Sequence, residues 1–114
     1  MKLIELIQKL NLSIRSAKGN LERQITGGYA SDLLSDVIAH SKEGNLWITL
    51  QIHQNIVGVA SLKDLAGIIL VNNREPQTET LEKAEAENVV IMVTEMPTFE
   101  LVGRLYSLGI TGTE

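Results

Sequence analysis

The spacing of apolar residues along the chain changes repeatedly between a helical and a strand-like period. Apolar side chains that recur every three or four positions predict amphipathic helices at residues 2–10, 30–38, 78–87 and 97–108. Alternating or continuous apolar runs predict strands at residues 12–14, 24–26, 46–52, 67–71 and 89–93. Residues 55–64 are apolar nearly all round, which predicts a helix that is buried on more than one side.

The second half of the chain therefore alternates between strands and helices. The runs at residues 67–71 and 89–93 are rich in β-branched residues and uninterrupted, as in central parallel strands that are covered on both faces. We expect an α/β fold with three layers, in which a mostly parallel central sheet carries helices on both faces. No repeat or linker divides the sequence, so a single domain over residues 1–114 is the simplest organisation. The pattern leaves the order of the strands open.

The amino-acid composition of the chain argues against several classes of binding partner. The chain has 114 residues and a formal net charge of −4, so it lacks the basic field that would hold a nucleic-acid backbone. It contains no cysteine, which rules out disulfides and thiolate metal sites. No stretch is long and apolar enough to span a membrane, and the N-terminal residues do not resemble a signal peptide. We expect a cytoplasmic protein that binds neither nucleic acid nor membrane.

The sequence lacks the common catalytic motifs. It has no phosphate-binding G-x-x-x-x-G-K-[ST] loop, no G-x-S-x-G elbow and no H-E-x-x-H zinc motif. His40 and His53 have no partner at ligand spacing. We therefore predict no enzymatic activity and no cofactor. A small enzyme, if it existed here, would have to use Asp32, Asp36 and Arg74.

Polar residues follow three of the predicted strands at the point where each strand ends. Gln51 lies at the end of the first, Asn72, Asn73 and Arg74 follow the second, and Thr94 follows the third. Ligands of parallel sheets collect beyond the carboxyl ends of the strands, so this shared position predicts a binding crevice. Arg74 is the leading candidate for an anion-binding fork. The alternative is that these are ordinary polar loops, with Asn-Asn as a turn.

A glycine pair precedes the helix predicted at residues 30–38. Backbone N–H groups near such a pair could contact an anion, which makes candidates of the segment's polar and glycine residues, Thr26, Gly27, Gly28, Ser31 and Asp32. Ser31 or Asp32 could also cap the helix. Asp32 and Asp36 are four residues apart, which would place them on one helical face, either as a cation site or as a solvated face. The alternative for the glycines is an ordinary tight turn.

Four stretches of the sequence together resemble the DRTGG domain family. They are residues 22–37 (ERQITGGYASDLLSDV), 45–49 (NLWIT), 62–69 (LKDLAGII) and 99–106 (FELVGRLY). The resemblance extends over essentially the whole chain. Glu22 stands where the family name implies aspartate, which keeps the charge but lengthens the side chain.

The resemblance implies an α/β module similar to the N-terminal domain of HPr kinase/phosphorylase. Domains of this family also occur between CBS-domain pairs in some pyrophosphatases and ahead of the catalytic part in some long phosphotransacetylases, where they are regulatory or oligomer-forming. It implies a non-catalytic, ligand-sensing module that forms a homodimer and binds a small anionic metabolite or nucleotide. The alternative is a protein-interaction subunit that contacts a partner enzyme through residues 55–64 and 97–108.

Overall fold

The computed structural model describes residues 1–112 and contains five helices and five strands in that range. The helices are α1 (Leu3–Leu10), α2 (Leu34–His40), α3 (Asn55–Lys63), α4 (Thr78–Ala86) and α5 (Thr98–Ser107). The strands are β1 (Ser13–Ile14), β2 (Gly27–Ala30), β3 (Asn45–Thr49), β4 (Gly67–Leu70) and β5 (Ile91–Val93). None of these helices combines the length and hydrophobicity that a membrane span requires.

The strands form one sheet in the order β1-β5-β4-β3-β2. Strands β2 to β5 are parallel, and β1 runs antiparallel to β5 at one edge. Side chains that alternate along each strand point to opposite faces, so Leu46 and Ile48 pack in one core while Trp47 packs in the other. The first core contains α1 and α5, and the second contains α2, α3 and α4. The predicted three-layer, mostly parallel α/β fold is confirmed.

The start of β2 differs from the prediction. The strand predicted at residues 24–26 is wrong, because β2 begins at Gly27, which pairs with Asn45 of β3. Thr26 instead donates its backbone N–H to Gly44 O at 3.0 Å, and its hydroxyl donates to Glu43 O at 2.7 Å. The backbone N–H and the hydroxyl of Thr26 therefore hydrogen-bond to the turn that precedes β3.

The start of α2 also differs from the prediction. The helix begins at Leu34 rather than near Ala30, and its N-cap residue, Leu33, makes no side-chain cap. Ser31 N donates to Ile48 O at 3.2 Å, and the Asp32 carboxylate accepts hydrogen bonds from β3 and the residue after it. Ser31 and Asp32 thus extend the contact between β2 and β3, and neither caps the helix.

Candidate functional site

The parallel strands bring their carboxyl ends to one edge of the sheet. The loops after β4 and β5 are joined there, because Asn72 N donates to Met96 O at 3.0 Å and Asn73 N donates to Thr94 O at 2.9 Å. Asn72 and Asn73 have φ values of 55° and 58°, and Arg74 N donates to Val71 O at 3.1 Å. This is the geometry of a type I′ turn, for which asparagine is well suited. The alternative interpretation of Asn-Asn as a turn is therefore correct.

The predicted ligand-binding residues divide between two edges of the sheet. Ser31, Asp32, Gln51, Asn72, Asn73, Arg74 and Thr94 all follow the carboxyl ends of strands. Thr26, Gly27 and Gly28 lie at the opposite edge, because Gly27 and Gly28 pair with the first two residues of β3. The glycine pair is part of a strand and does not precede a helix N-terminus. One crevice cannot contain all ten residues.

Asp32 joins the carboxyl ends of β2 and β3. Its Oδ1 accepts hydrogen bonds from the Thr49 hydroxyl at 2.8 Å and from Leu50 N at 2.7 Å. Gln51 Nε2 donates to Asp32 O at 3.0 Å. Strand β3 therefore ends at Thr49, short of the predicted residue 52, because Leu50 N bonds to a side chain instead of a strand. These contacts give Asp32 and Gln51 a structural role.

Asp36 has partners of its own and does not pair with Asp32. Its carboxylate accepts a hydrogen bond from the Tyr29 hydroxyl at 2.8 Å and lies 3.1 Å from His40 Nδ1. The bond from Tyr29 is the main cause that lowers the pKa of Asp36, and it raises the pKa of Tyr29. Asp32 precedes α2, so the two carboxylates do not share a helical face. Within residues 1–112, no group of three or more acidic or histidine side chains could hold a metal ion.

A polar cleft of about 490 Å³ lies where β5 meets β1, and we call it the strand-end cleft. Its walls come from the end of α1, from β1, from the ends of β4 and β5, and from α5. They comprise Leu10, Asn11, Ser13, Arg15, Asn73, Val93, Thr94, Glu95, Met96 and Arg104. Of the predicted residues, Asn73 and Thr94 line the cleft. Arg74 does not, and its side chain is exposed beside it.

The cations of the cleft are Arg15 and Arg104, which the sequence interpretation missed. Arg15 binds Glu75 through two hydrogen bonds of 2.8 Å, which raise the pKa of Arg15 and lower that of Glu75. Arg104 donates only its Nε, to Glu100 at 3.1 Å. Among the described residues, no hydrogen bond engages the terminal nitrogens of Arg104. Since guanidinium forks match carboxylates and phosphates, the cleft offers donors for an anion.

A network of hydrogen bonds holds together the amino-terminal edge of the sheet, opposite the strand-end cleft. Arg23 Nη1 donates to Asp64 Oδ1 at 2.7 Å, and Arg23 Nη2 donates to Asp64 O at 3.2 Å. The bond from Arg23 is the main cause that lowers the pKa of Asp64. Asn45 Nδ2 donates to the Thr26 hydroxyl at 3.1 Å, and Lys2 Nζ forms a salt bridge with Glu22 Oε2 at 3.0 Å. We call this network of Arg23, Asp64, Thr26, Glu43, Gly44 and Asn45 the amino-edge clasp.

No family model matches the chain, and no curated protein matches it in sequence. The fold is similar to a solved structure, "Crystal structure of the CBS and DRTGG domains of the regulatory region of Clostridium perfringens pyrophosphatase complexed with activator, diadenosine tetraphosphate". The two share 14% sequence identity with a TM-score of 0.69. The similarity covers 96% of this chain and 47% of that one, so this chain spans about half the length of its structural neighbour. At this identity, the comparison establishes the fold.

Proposed function

We propose that this chain is a single DRTGG-type regulatory domain that binds an anionic metabolite or nucleotide and has no catalytic activity of its own. The motif resemblance and the fold of the Clostridium perfringens regulatory region both support the class. That region was solved with a nucleotide activator, which makes nucleotides the first ligands to test. Among the described residues, the Thr94 hydroxyl of the cleft accepts a hydrogen bond from Met96 N and has no hydrogen bond to a base, which favours sensing over chemistry.

The observation that carries the proposal is the pair of guanidinium groups in the strand-end cleft. Arg15 directly follows β1 and Arg104 lies on α5, so a bound anion would connect two elements that are distant in sequence. Asn73 and Thr94 add amide and hydroxyl groups that can hydrogen-bond a base or a sugar. A volume of about 490 Å³ is in the range of small-molecule sites.

The experiment is a thermal-shift and calorimetric titration with adenosine 5′-tetraphosphate and with inorganic tripolyphosphate. A ligand at a hundredfold excess over its Kd should stabilise the fold by about 2.7 kcal/mol. Arg104→Ala and Arg15→Ala should each weaken binding about tenfold or more, because a hydrogen bond to a charged group contributes about 1.5–3 kcal/mol.

Arg74→Ala is the matched control, since it removes a neighbouring exposed arginine that does not line the cleft. It should change the affinity by less than about twofold, as expected for an exposed charge that touches no ligand. Binding that depends on Arg74 and not on Arg15 or Arg104 would refute this location. No stabilisation by any anionic probe would refute the sensing function.

A second function, docking to a partner protein, is favoured by one observation on α5. Phe99 is 92% exposed and Tyr106 is 57% exposed, and the partly buried Val102 lies between them along the helix. Exposed apolar stripes of this kind mark interaction sites, either with a partner enzyme or with a second copy in a homodimer. Light scattering of the wild type and of Phe99→Ser distinguishes these cases. A wild-type dimer that becomes monomeric in the variant supports self-association, and a wild-type monomer leaves only the partner enzyme.

A further inference from the structure

A second cavity adjoins the strand-end cleft. It has a volume of about 480 Å³ and lies between the end of α1 and the exposed side of α5. Both cavities include Leu10 and Arg104 among their walls, so they meet at these two side chains. We call the second cavity the helix-side lobe. Its other walls include Lys9, Gly103 and Ser107.

We propose that the two cavities form one elongated site for a two-headed anionic ligand, with Arg104 binding the anionic bridge between the heads. This inference rests on the proposed function and goes beyond it by specifying the shape of the ligand. Each cavity alone is within the range of about 300–1,000 Å³ that small-molecule sites occupy. A ligand with a single head would leave one of them filled with water.

The position of Arg104 supports the bridge. Its one hydrogen bond within the described residues uses Nε, which leaves both terminal nitrogens available at the junction of the cavities. Lys9 lines the helix-side lobe, and Arg15 lines the strand-end cleft with its Nε and Nη2 bound to Glu75. A chain of phosphates across the junction would bind Arg104 and, on displacing Glu75, Arg15.

The two lobes differ in the groups that they offer to the heads. Asn73, Thr94 and Glu95 give the strand-end cleft amide, hydroxyl and carboxylate groups, which can recognise the edge of a base. The helix-side lobe combines the apolar side chains of Leu10 and Leu108 with the Ser107 hydroxyl and with Glu100, whose carboxylate accepts a hydrogen bond from Arg104 Nε. Such a wall favours stacking and apolar contact, so the second head should bind with less specificity than the first.

The test compares two probes that carry the same four phosphates. Diadenosine tetraphosphate has two heads, and adenosine 5′-tetraphosphate has one head and more negative charge. An elongated site binds the two-headed probe about tenfold more tightly, since the second head buries additional surface. A site that responds to charge alone prefers the one-headed probe. Calorimetry at fixed salt measures both affinities.

Gly103→Leu supplies a variant that blocks the helix-side lobe. A Cβ built on Gly103 meets no heavy atom within 4 Å, so there is space at this position for a side chain to extend from α5 into the lobe. The variant should lose about tenfold in affinity for diadenosine tetraphosphate and stay within about twofold for adenosine 5′-tetraphosphate. Gly103→Ala, which leaves the lobe largely open, should bind both probes like the wild type, and its melting curve verifies that the helix is intact.

The outcomes separate this inference from the proposed function. Selective loss of the two-headed probe in Gly103→Leu supports the elongated site. Equal affinities for the two probes, unchanged in Gly103→Leu but weakened in Arg104→Ala, overturn the elongated site and leave the sensing function standing. Failure of both probes to bind the wild-type protein overturns both.

Discussion

Arg23 at one edge of the sheet and Arg104 at the other edge differ in how many of their hydrogen-bond donors the fold uses. In the amino-edge clasp, Arg23 and Thr26 hydrogen-bond to the turns that flank α3 and β3. In the strand-end cleft, Arg104 uses a single donor, and its other nitrogens border an open cavity. The polar groups of the clasp residues are therefore used in holding the fold together. At the opposite edge, the terminal nitrogens of Arg104 keep free hydrogen-bonding capacity within residues 1–112, whereas Arg15 binds Glu75.

This comparison separates residues whose polar groups hold the fold from residues whose polar groups border an open cavity. Arg23 and Thr26 satisfy carboxylate and backbone groups of the loops around them. Their polar groups are therefore unavailable to a ligand while these hydrogen bonds persist. We expect variants at the clasp to change stability and variants at the cleft to change binding.

The largest expected effect is that of Gly44→Ala in the clasp. Gly44 has a φ of +81°, and a Cβ added there would lie 2.6 Å from Thr26 Cγ2 and 2.9 Å from Thr26 Oγ1. Left-handed strain and the steric clash together should lower the free energy of unfolding by about 2–4 kcal/mol. Urea denaturation measures this loss in the free energy of unfolding. Gly103→Ala beside the cleft is the control, and it should stabilise α5 by up to about 1 kcal/mol.

A smaller loss is expected when Thr26→Val removes the clasp hydroxyl. That hydroxyl donates to Glu43 O and accepts from Asn45 Nδ2. Valine keeps the shape and removes both of these hydrogen bonds, so the free energy of unfolding should fall by about 1 kcal/mol. The affinity for adenosine 5′-tetraphosphate should not change. A loss of binding with no loss of stability would show that Thr26 belongs to a ligand site after all.

The smallest effect concerns the acid titration of Glu75. Its pKa is lowered chiefly by the hydrogen bond from Arg15, so this pair stabilises the fold above the ordinary glutamate pKa of about 4.3. That stabilisation is lost as the pH falls through the lowered pKa of the folded state. In Arg15→Ala, the pKa of Glu75 should return toward its ordinary value, which a carboxyl NMR titration measures.

The pKa of Glu75 also reports whether a bound anion engages Arg15. An anion that takes the place of Glu75 on Arg15 should raise the pKa of Glu75 as Arg15→Ala does. Arg74→Ala should leave the titration unchanged, because Arg15 is the cation that hydrogen-bonds Glu75. An unchanged pKa at saturating adenosine 5′-tetraphosphate would mean that the anion binds without engaging Arg15.

The periodic parts of the sequence predicted the fold well. Uninterrupted apolar runs correctly indicated β4 and β5, because strands that are buried on both faces leave no polar position between their ends. The sequence predicted that Gly27 and Gly28 end a strand ahead of a helix, either at an anion site or in a tight turn, since glycine usually interrupts a strand. Here they form β2, in which Gly27 pairs with Asn45 and Gly28 pairs with Leu46 of β3.

The site was predicted only in part, for a topological reason. Asn73 and Thr94 follow apolar runs, so their common edge could be inferred from the chain alone. Arg15 and Arg104 reach the cleft because β1 returns antiparallel beside β5 and α5 covers that corner. Strand order sets both positions, and the spacing of apolar residues carries no information about strand order.

The most direct test of the central claim is to map binding residue by residue with backbone amide NMR. Adenosine 5′-tetraphosphate is titrated into the wild-type protein. We predict the largest shift changes at Ser13, Arg15 and Thr94 around the strand-end cleft, with Thr26 and Gly44 unaffected. Changes concentrated at Thr26 and Gly44 would contradict the account, because they would place the ligand on the clasp.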